Sequence, residues 1–298
     1  MQLEPECIGC LFNQLQRAFK MVKPDIKNEI IINAQKDLMR YLIEAETDKI
    51  SAPIVGNFVY KLISKYLGIN DPYKKLKDKY NELALQYYDE IKEIVKNSED
   101  KLFEALATAA LGNTIDFAGQ HEIDLINDIK NFSSDDFKVN DYDDFKKSLN
   151  KIYEKGGELL ILGDNIGEIV FDKLLIEIIQ ELYPNIEIVY SVRSIPIIND
   201  ATMDDAKFIN LTEIIKVIEA SPVPGIDLTT ATEEFKEHFF NPNGMILSKG
   251  QGNFETLHGM DIPNKDLYYL LKAKCNLMER LFNVKIGDLI FKKKTLSF

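Results

Sequence analysis

The chain has 298 residues, enough to bury a large core, and its 45% hydrophobic and 28% charged content is that of an ordinary globular protein. Its net charge of −12 argues against nucleic acid as a partner, because phosphate backbones bind basic patches. No apolar run approaches the roughly 20 residues of a membrane span, and the first residues lack a signal-peptide layout. Three cysteines, an odd number, do not suggest a disulfide framework. We expect a cytoplasmic protein without membrane or nucleic-acid partners.

The first 130 residues have the apolar spacing of helices. The periodicity predicts helices over residues 10–21, 30–45, 80–95 and 102–111, with prolines between several of these segments. A helical bundle over residues 1–130 is the simplest interpretation. The stretch 131–150 begins with an acidic, turn-rich segment that has no clear period, and it is predicted as a junction.

From residue 151 the pattern changes to short apolar runs that alternate with helical stretches. Residues 159–162, 186–192, 216–220, 245–248 and 267–273 are predicted strands, and 171–182, 203–206 and 277–282 are predicted helices. Such alternation is typical of βα units with a mostly parallel sheet. Residues 151–298 are therefore the predicted α/β catalytic core.

Polar side chains follow two of the apolar runs. Asp164 and Asn165 lie just past the run 159–162, and Asp200 follows the apolar run that ends at residue 198. Open α/β sheets bind ligands at the carboxyl ends of their strands. Hard oxygen ligands suit Mg²⁺ or Mn²⁺ better than zinc, so three of them would form a face on one cation. An Asp-Asn turn and helix N-caps explain the same residues without a ligand.

Other polar residues are candidates for binding an anion. Lys249 and Gly250 follow the run 245–248 in the sequence KGQG, which combines a positive charge with approachable backbone amides but lacks Walker spacing. Arg193 directly follows the run 186–192. Asn113 and Asp116 follow the helix 102–111, where they either reach the pocket from the helical region or cap the next turn.

The cysteines form one CxxC pair, Cys7 and Cys10, with no second pair. One pair is half a zinc site at most, although Cys275 is available to join it in three dimensions. A helix that begins near Cys10 would lower a thiol pKa and permit redox or metal chemistry. Two semi-buried reduced cysteines fit the spacing equally well.

Taken together, the motifs GDNIGEIVFD, VRSIPIINDATMDDA, KGQGNFE, AALGNTIDF and CIGC resemble the damage-control phosphatase family along nearly the whole chain. The CxxC resembles the signature of its archaeal and bacterial subfamily. The resemblance implies a three-layer α/β/α core, a helical N-terminal region and metal-dependent hydrolysis of small phosphorylated metabolites. It places the metal ligands on Asp164, Asn165 and Asp200, and the phosphate-contacting lysine on Lys249. The family often has Asp where this chain has Gln251, so an acidic role there is in doubt.

The resulting prediction is a phosphomonoester hydrolase that uses Mn²⁺, Mg²⁺, Ni²⁺ or Co²⁺ on sugar phosphates, damaged nucleotides or related metabolites. Asp164 attacks phosphorus, or the metal activates a water. Two alternatives come from other classes: an α/β group transferase such as a methyltransferase, and a metal- or redox-sensing module built on the CxxC. The predicted catalytic residues are Asp164, Asp200 and Lys249, and the predicted substrate contacts are Lys249, Arg193, Asn113, Asp116 and Gly250.

Overall fold

The protein is described here by a computed structural model that covers residues 1–112, 129–262 and 265–295. Helices α1 (Pro5–Val22), α2 (Asn28–Glu44), α3 (Ala52–Leu67), α4 (Lys74–Asn97) and α5 (Lys101–Leu111) come first. The remaining elements are β1 (Phe137–Asn140), α6 (Tyr142–Lys155), β2 (Glu158–Leu162), α7 (Glu168–Leu182), β3 (Glu187–Val192), α8 (Met203–Phe208), β4 (Lys216–Glu219), α9 (Glu233–Phe239), β5 (Gly244–Lys249), α10 (Gln251–Leu257), β6 (Leu267–Lys272), α11 (Asn276–Phe282) and β7 (Leu289–Lys293).

The seven strands form one sheet in the order β1-β7-β6-β5-β2-β3-β4. All neighbouring pairs are parallel except β6 and β7. After β2 the chain adds β3 and β4 on one side, and it later adds β5 and β6 on the other. The carboxyl ends of β2 and β5 therefore form a topological switch point, where sheets of this kind bind ligands.

Helices cover both faces of the sheet, which confirms the predicted three-layer α/β/α fold. Along β2, Leu159 and Ile161 pack with α4 to α7, whereas Leu160 and Leu162 pack with α9 to α11. Successive side chains of a strand point to opposite faces, so a strand covered on both faces is apolar throughout. This explains why the run 159–162 has no polar interruption.

The N-terminal helices are divided between two places instead of forming one bundle. Helices α1, α2 and α3 bury a core of their own, which includes Leu15, Leu38 and Val59. Helices α4 and α5 instead pack against α7 on the sheet. The reason is visible in α5, whose residues from Ala105 to Leu111 are all buried, because such a helix needs partners on every side.

Some elements were not predicted. The stretch 131–150, interpreted as a junction, contains β1 and most of α6, and Phe137 of β1 is buried against the sheet. Helices α3, α9 and α10 and strand β7 also had no clear signal in the sequence. Within the described residues, no helix is both long and apolar enough to cross a membrane.

Candidate active site

Two loops at the switch point are joined to each other by backbone pairing. Ala201 N donates a hydrogen bond of 2.9 Å to Asp164 O, and Asn165 pairs with Asp200 as an isolated β-bridge. All three candidate ligands are buried, with Asp164 8% exposed, Asn165 6% and Asp200 5%. The structure therefore brings Asp164, Asn165 and Asp200 together. Asp164 follows β2 closely, as predicted, whereas the apolar run before Asp200 is a loop and not a strand, because it packs on the α1–α3 core.

Arg193 links the two aspartates from inside the protein. Its Nε lies 2.5 Å from Asp200 Oδ2, and its Nη2 lies 3.5 Å from Asp164 Oδ1. Nη1 donates to Gly225 O and to Asn253 Oδ1, each at 2.9 Å. With all three nitrogens engaged and only 2% of its surface exposed, Arg193 fixes the carboxylates. Its direct contact with a substrate stays a prediction.

Lys249 lies deeper than the sequence suggests. Its ammonium donates to Asp172 and, at 2.9 Å, to Ala109 O, and it lies 3.5 Å from Glu168 Oε2. Burial lowers the pKa of Lys249, but the charges of Asp172 and Glu168 outweigh that effect, and the net pKa is raised. Tyr190 donates to the other oxygen of Asp172 at 2.7 Å. The charge of Lys249 is thus neutralised by Asp172 and Glu168 inside the protein. Its contact with phosphate stays a prediction.

Glu168 is a site residue that sequence reasoning missed. Asn165 Nδ2 donates to Glu168 Oε1 at 2.7 Å and to Asp164 Oδ2 at 2.8 Å. Burial raises the pKa of Glu168 to about 8, against the opposing charge of Lys249. The signal was an acidic pair four residues apart, Glu168 and Asp172, inside an otherwise apolar helical segment.

The donor set fits a divalent cation. Burial raises the pKa of Asp200 to about 6, although the charge of Arg193 opposes it, and the nearby charge of Asp164 adds a smaller contribution in the same direction as burial. Because Asn165 Nδ2 donates to carboxylates, its amide oxygen is available as a ligand beside the two aspartates. In the described residues, no three Asp, Glu, His or Cys side chains form a metal cluster, so the candidate set is two carboxylates and one amide.

Gly250 makes room for Asp164. A Cβ atom at this position would lie 1.9 Å from Asp164 Oδ2, and the backbone has φ 78° and ψ 161°, a conformation that is essentially restricted to glycine. The sequence predicted a substrate contact for Gly250. The structure shows in addition that its missing side chain accommodates the carboxylate.

A cavity of about 350 Å³ opens onto these residues. It lies between the carboxyl end of the sheet and the helices α1 and α3. Neither Arg193 nor Lys249 lines it. Asn113 and Asp116, the other two predicted substrate contacts, lie outside the described residues. The polar lining comprises Glu6, Cys7, Cys10, Gln14, Tyr60, Asp164, Asn165, Asn199, Asp200, Gln251, Glu255, Lys274 and Cys275.

The three cysteines line this same cavity. Cys7 and Cys10 lie in the first two turns of α1, and Cys275 directly precedes α11. Desolvation raises the pKa of the Cys7 and Cys10 thiols, with smaller contributions from neighbours such as Glu255. This direction is opposite to the one expected from a helix start, because desolvation outweighs any stabilisation of the thiolate.

We therefore expect slow alkylation of the CxxC. Because a raised pKa leaves less thiolate at a given pH, iodoacetamide should modify Cys10 more slowly at pH 7.5 than it modifies a free cysteine. The rate should increase as the pH rises through 9 and above. Mass spectrometry of the N-terminal peptide measures it, with the denatured protein as the reference. Faster modification of the folded protein at pH 7.5 would contradict the raised pKa.

The family of the chain follows from comparison with known proteins. The sequence model described as "Damage-control phosphatase ARMT1-like domain" matches residues 3–290. The chain belongs to this family. A damage-control phosphatase of Pyrococcus horikoshii is 35% identical over 97% of both chains. An uncharacterized protein of Methanocaldococcus jannaschii is 34% identical over 99% of this chain and 96% of its own.

One solved structure and one further relative agree with this assignment. The crystal structure of a DUF89 family protein from Pyrococcus horikoshii matches with a TM-score of 0.85 and 29% identity. The match covers 99% of this chain and 100% of that chain. A damage-control phosphatase of Archaeoglobus fulgidus is 28% identical over 98% of this chain. Fold and family thus agree with the resemblance that the motifs indicate.

Proposed function

We propose that the protein is a phosphatase that hydrolyses small phosphorylated metabolites with a divalent cation held by Asp164, Asn165 and Asp200. The observation that carries the proposal is the meeting of two carboxylates and an amide at the switch point of the sheet, beside a cavity of metabolite size. Membership of a family whose relatives are named damage-control phosphatases supports the same reaction class.

The cation, Arg193 and Asp164 have distinct roles in the proposed hydrolysis. A bound cation supplies charge neutralisation on the phosphoryl oxygens. Arg193 keeps Asp164 and Asp200 aligned, so little reorganisation is needed when substrate binds. Asp164 is either a ligand or the nucleophile, and a carboxylate engaged as a ligand is the poorer nucleophile. We therefore favour attack by water, and rapid-quench trapping of a phosphorylated Asp164 would overturn this preference.

Release of inorganic phosphate tests the proposed function. The protein is assayed on a panel of sugar phosphates, nucleotides and aryl phosphates, with Mn²⁺, Mg²⁺, Ni²⁺ or Co²⁺ and with a chelator. We expect turnover that requires one of these metals, since the site has oxygen ligands and an excess of negative charge. Folded protein that shows no metal-stimulated release on any substrate would contradict the proposal.

The cavity wall also carries a positively charged side chain that is suited to contact the phosphate. Lys274 is the only lysine or arginine among the described lining residues, and its side chain is exposed. Its charge also acts on the carboxyl group of Glu168, which places it near the acidic cluster. We therefore assign the phosphate contact to Lys274, and we assign Lys249 the role of neutralising Asp172 and Glu168 inside the protein.

Replacing Lys274 with alanine should weaken substrate binding. A charge-assisted hydrogen bond contributes about 1.5–3 kcal/mol, so we expect KM to rise roughly tenfold or more with a smaller change in kcat. Lys285→Ala is the matched control, because Lys285 is exposed and does not line this cavity. Equal KM values for Lys274→Ala and the unmodified protein would show that the phosphate is held by other groups.

The transferase alternative makes a different prediction. A methyltransferase needs a cofactor site at the switch point, whereas this switch point holds buried carboxylates. Calorimetry with S-adenosylmethionine distinguishes the two functions. Tight binding that does not depend on metal would favour the transferase over the phosphatase.

A further inference from the structure

A second cavity of about 660 Å³ lies away from the candidate active site. It is formed by the end of α10, the segment before β6, and the end of β7. Strand β6 runs parallel to β5, whose carboxyl end carries Gly250, so the start of β6 lies at the opposite edge of the sheet. The antiparallel β7 ends at that same edge. The two cavities therefore open at different ends of the strands.

Positive charge is concentrated around this second cavity, although the chain as a whole has a net charge of −12. The charged lining residues include two aspartates. Asp266 is bound by Lys293 Nζ at 2.8 Å and by Ser148 Oγ at 2.9 Å, and the charge of Asp261 acts on Lys294. The lysines of the lining are Lys151, Lys265, Lys292 and Lys294.

Three of these lysines have no salt bridge to a carboxylate of the described residues. Lys292 is paired with Asp141 at 3.0 Å, whereas Lys151, Lys265 and Lys294 are not paired in this way. Burial lowers the pKa of Lys265 to about 8, and Glu158 opposes this only in part. The pKa of Lys294 is lowered for the same reason. Lys265 Nζ donates to His238 O at 3.1 Å and to Phe239 O at 2.8 Å, and Lys294 Nζ donates to Leu257 O and Met260 O, so neutral carbonyls and not carboxylates hold both ammonium groups. The charges of Glu158 and Asp261 compensate the desolvation only in part, and a bound anion would offset the remainder.

One residue of the cavity lining also has a buried hydroxyl without a hydrogen-bond partner among the described residues. Tyr269 is 3% exposed and lines the cavity, and its hydroxyl has no hydrogen-bond partner among the described residues. Buried polar groups are nearly always paired, so this hydroxyl lacks an acceptor or donor. Phe254, Met260 and Phe282 complete the wall with apolar surface.

We propose that this cavity is a second binding site, for an organic phosphate whose charged group meets the lysines and the Tyr269 hydroxyl and whose apolar part contacts Phe254 and Phe282. Several lysines in the lining of one cavity suit a dianion better than a single charge does. The aromatic walls favour a ligand with a ring or chain over inorganic phosphate. This site does not depend on the proposed phosphatase activity, since none of its residues belongs to the candidate active site.

Calorimetry on the chelator-treated, metal-free protein tests the site, with phenylphosphonate and inorganic phosphate as probes. Without a cation, the carboxylates of the candidate active site repel anions, so binding under these conditions reports on the second cavity. We expect one equivalent of phenylphosphonate to bind, and to bind more tightly than inorganic phosphate. Absence of phenylphosphonate binding at tens of millimolar would overturn the proposal.

Single-residue variants show which of the two cavities binds phenylphosphonate. Lys151→Glu and Tyr269→Phe should each weaken phenylphosphonate binding about fivefold or more, because each removes one contact to the anion. Lys285→Glu is the control for a changed surface charge and should have no effect. Loss of binding in Lys274→Glu, with Lys151→Glu unchanged, would place the probe in the other cavity and overturn the proposal.

Chemical protection gives a second measurement on the unmodified protein. Lys265 should react readily with acetic anhydride near pH 8, because its lowered pKa leaves much of the amine unprotonated. Phenylphosphonate should protect Lys265 from acetylation at least severalfold and leave Lys285 unprotected, as measured by mass spectrometry of the peptides. Equal acetylation of Lys265 with and without the probe would contradict binding at this site.

Discussion

Replacing Asp164 with asparagine should abolish metal binding and lower phosphate release on the order of a thousandfold or more, which is at the upper end of losses when one group that stabilises a transition-state charge is removed. Asparagine keeps the shape of the side chain but removes the negative charge that attracts the cation. The thermal stability of the metal-free protein should stay the same or rise, because one carboxylate leaves a buried cluster whose neighbours Asp200 and Glu168 have raised pKa values. Calorimetric metal titration and differential scanning calorimetry measure the two effects separately.

The control for this experiment is Asp204→Asn. Asp204 is exposed at the start of α8, only four residues from Asp200, and it does not line the cavity. We expect unchanged metal affinity and activity in this variant. If Asp164→Asn bound metal as tightly as the unmodified protein, the candidate metal site would be wrong even if the protein is a phosphatase.

Gly250→Ala should disable the same candidate metal site, because the added methyl group displaces the carboxylate of Asp164. The added methyl group would occupy the place of Asp164 Oδ2, so either the carboxylate or the backbone must move. The backbone conformation at Gly250 adds a strain of about 1–3 kcal/mol for a residue with a side chain. We expect a lower melting temperature together with a loss of metal affinity of at least about a hundredfold, since a small misplacement of a catalytic group is costly.

Gly68→Ala is the control that introduces backbone strain without displacing a neighbouring side chain. Gly68 also has a positive φ, 68°, but a Cβ atom there would have no neighbour within 4 Å. This variant should lose about 1–2 kcal/mol of stability and keep its metal affinity, because only backbone strain is introduced. Full metal affinity in Gly250→Ala would mean that Asp164 is placed by contacts other than its packing on Gly250.

The sequence predicts the sheet and the position of the candidate ligand Asp164 for physical reasons that are local. A strand covered on both faces must be apolar, so the run 159–162 is visible without any structure. The carboxyl ends of parallel strands meet at one edge, so Asp164 could be placed at the ligand-binding edge from its position after such a run. Asp200 reaches the same place through a loop after β3, because the apolar run before it packs on α1 to α3 instead of forming a strand. By contrast, β1 and β7 are short edge-side strands that pair across about 150 positions of sequence, and no local pattern encodes that pairing.

The charge partners inside the site could not be predicted. Lys249 has the sequence context of a phosphate-binding lysine, yet its ammonium contacts Asp172, which lies 77 positions away. Which charges neutralise each other depends on how α7 packs against β5. Lys274 has no motif around it, and only the fold shows that it lines the cavity. Residue type and spacing thus indicate the kind of site, whereas the assignment of individual roles needs the packing.

The loop that carries Asp200 also belongs to the α1–α3 core. Ile197 is 1% exposed and packs in that core, and Ile198 next to it has φ 34°, a strained value for a β-branched residue. The strain is tolerated because packing against the helices holds the segment in place. Three helices that contribute no candidate ligand therefore help to set the position of Asp200, one of the proposed ligands. Substitutions in their core, at Leu15 or Val59 for example, are therefore expected to change the metal affinity of the proposed site as well as the stability of the protein.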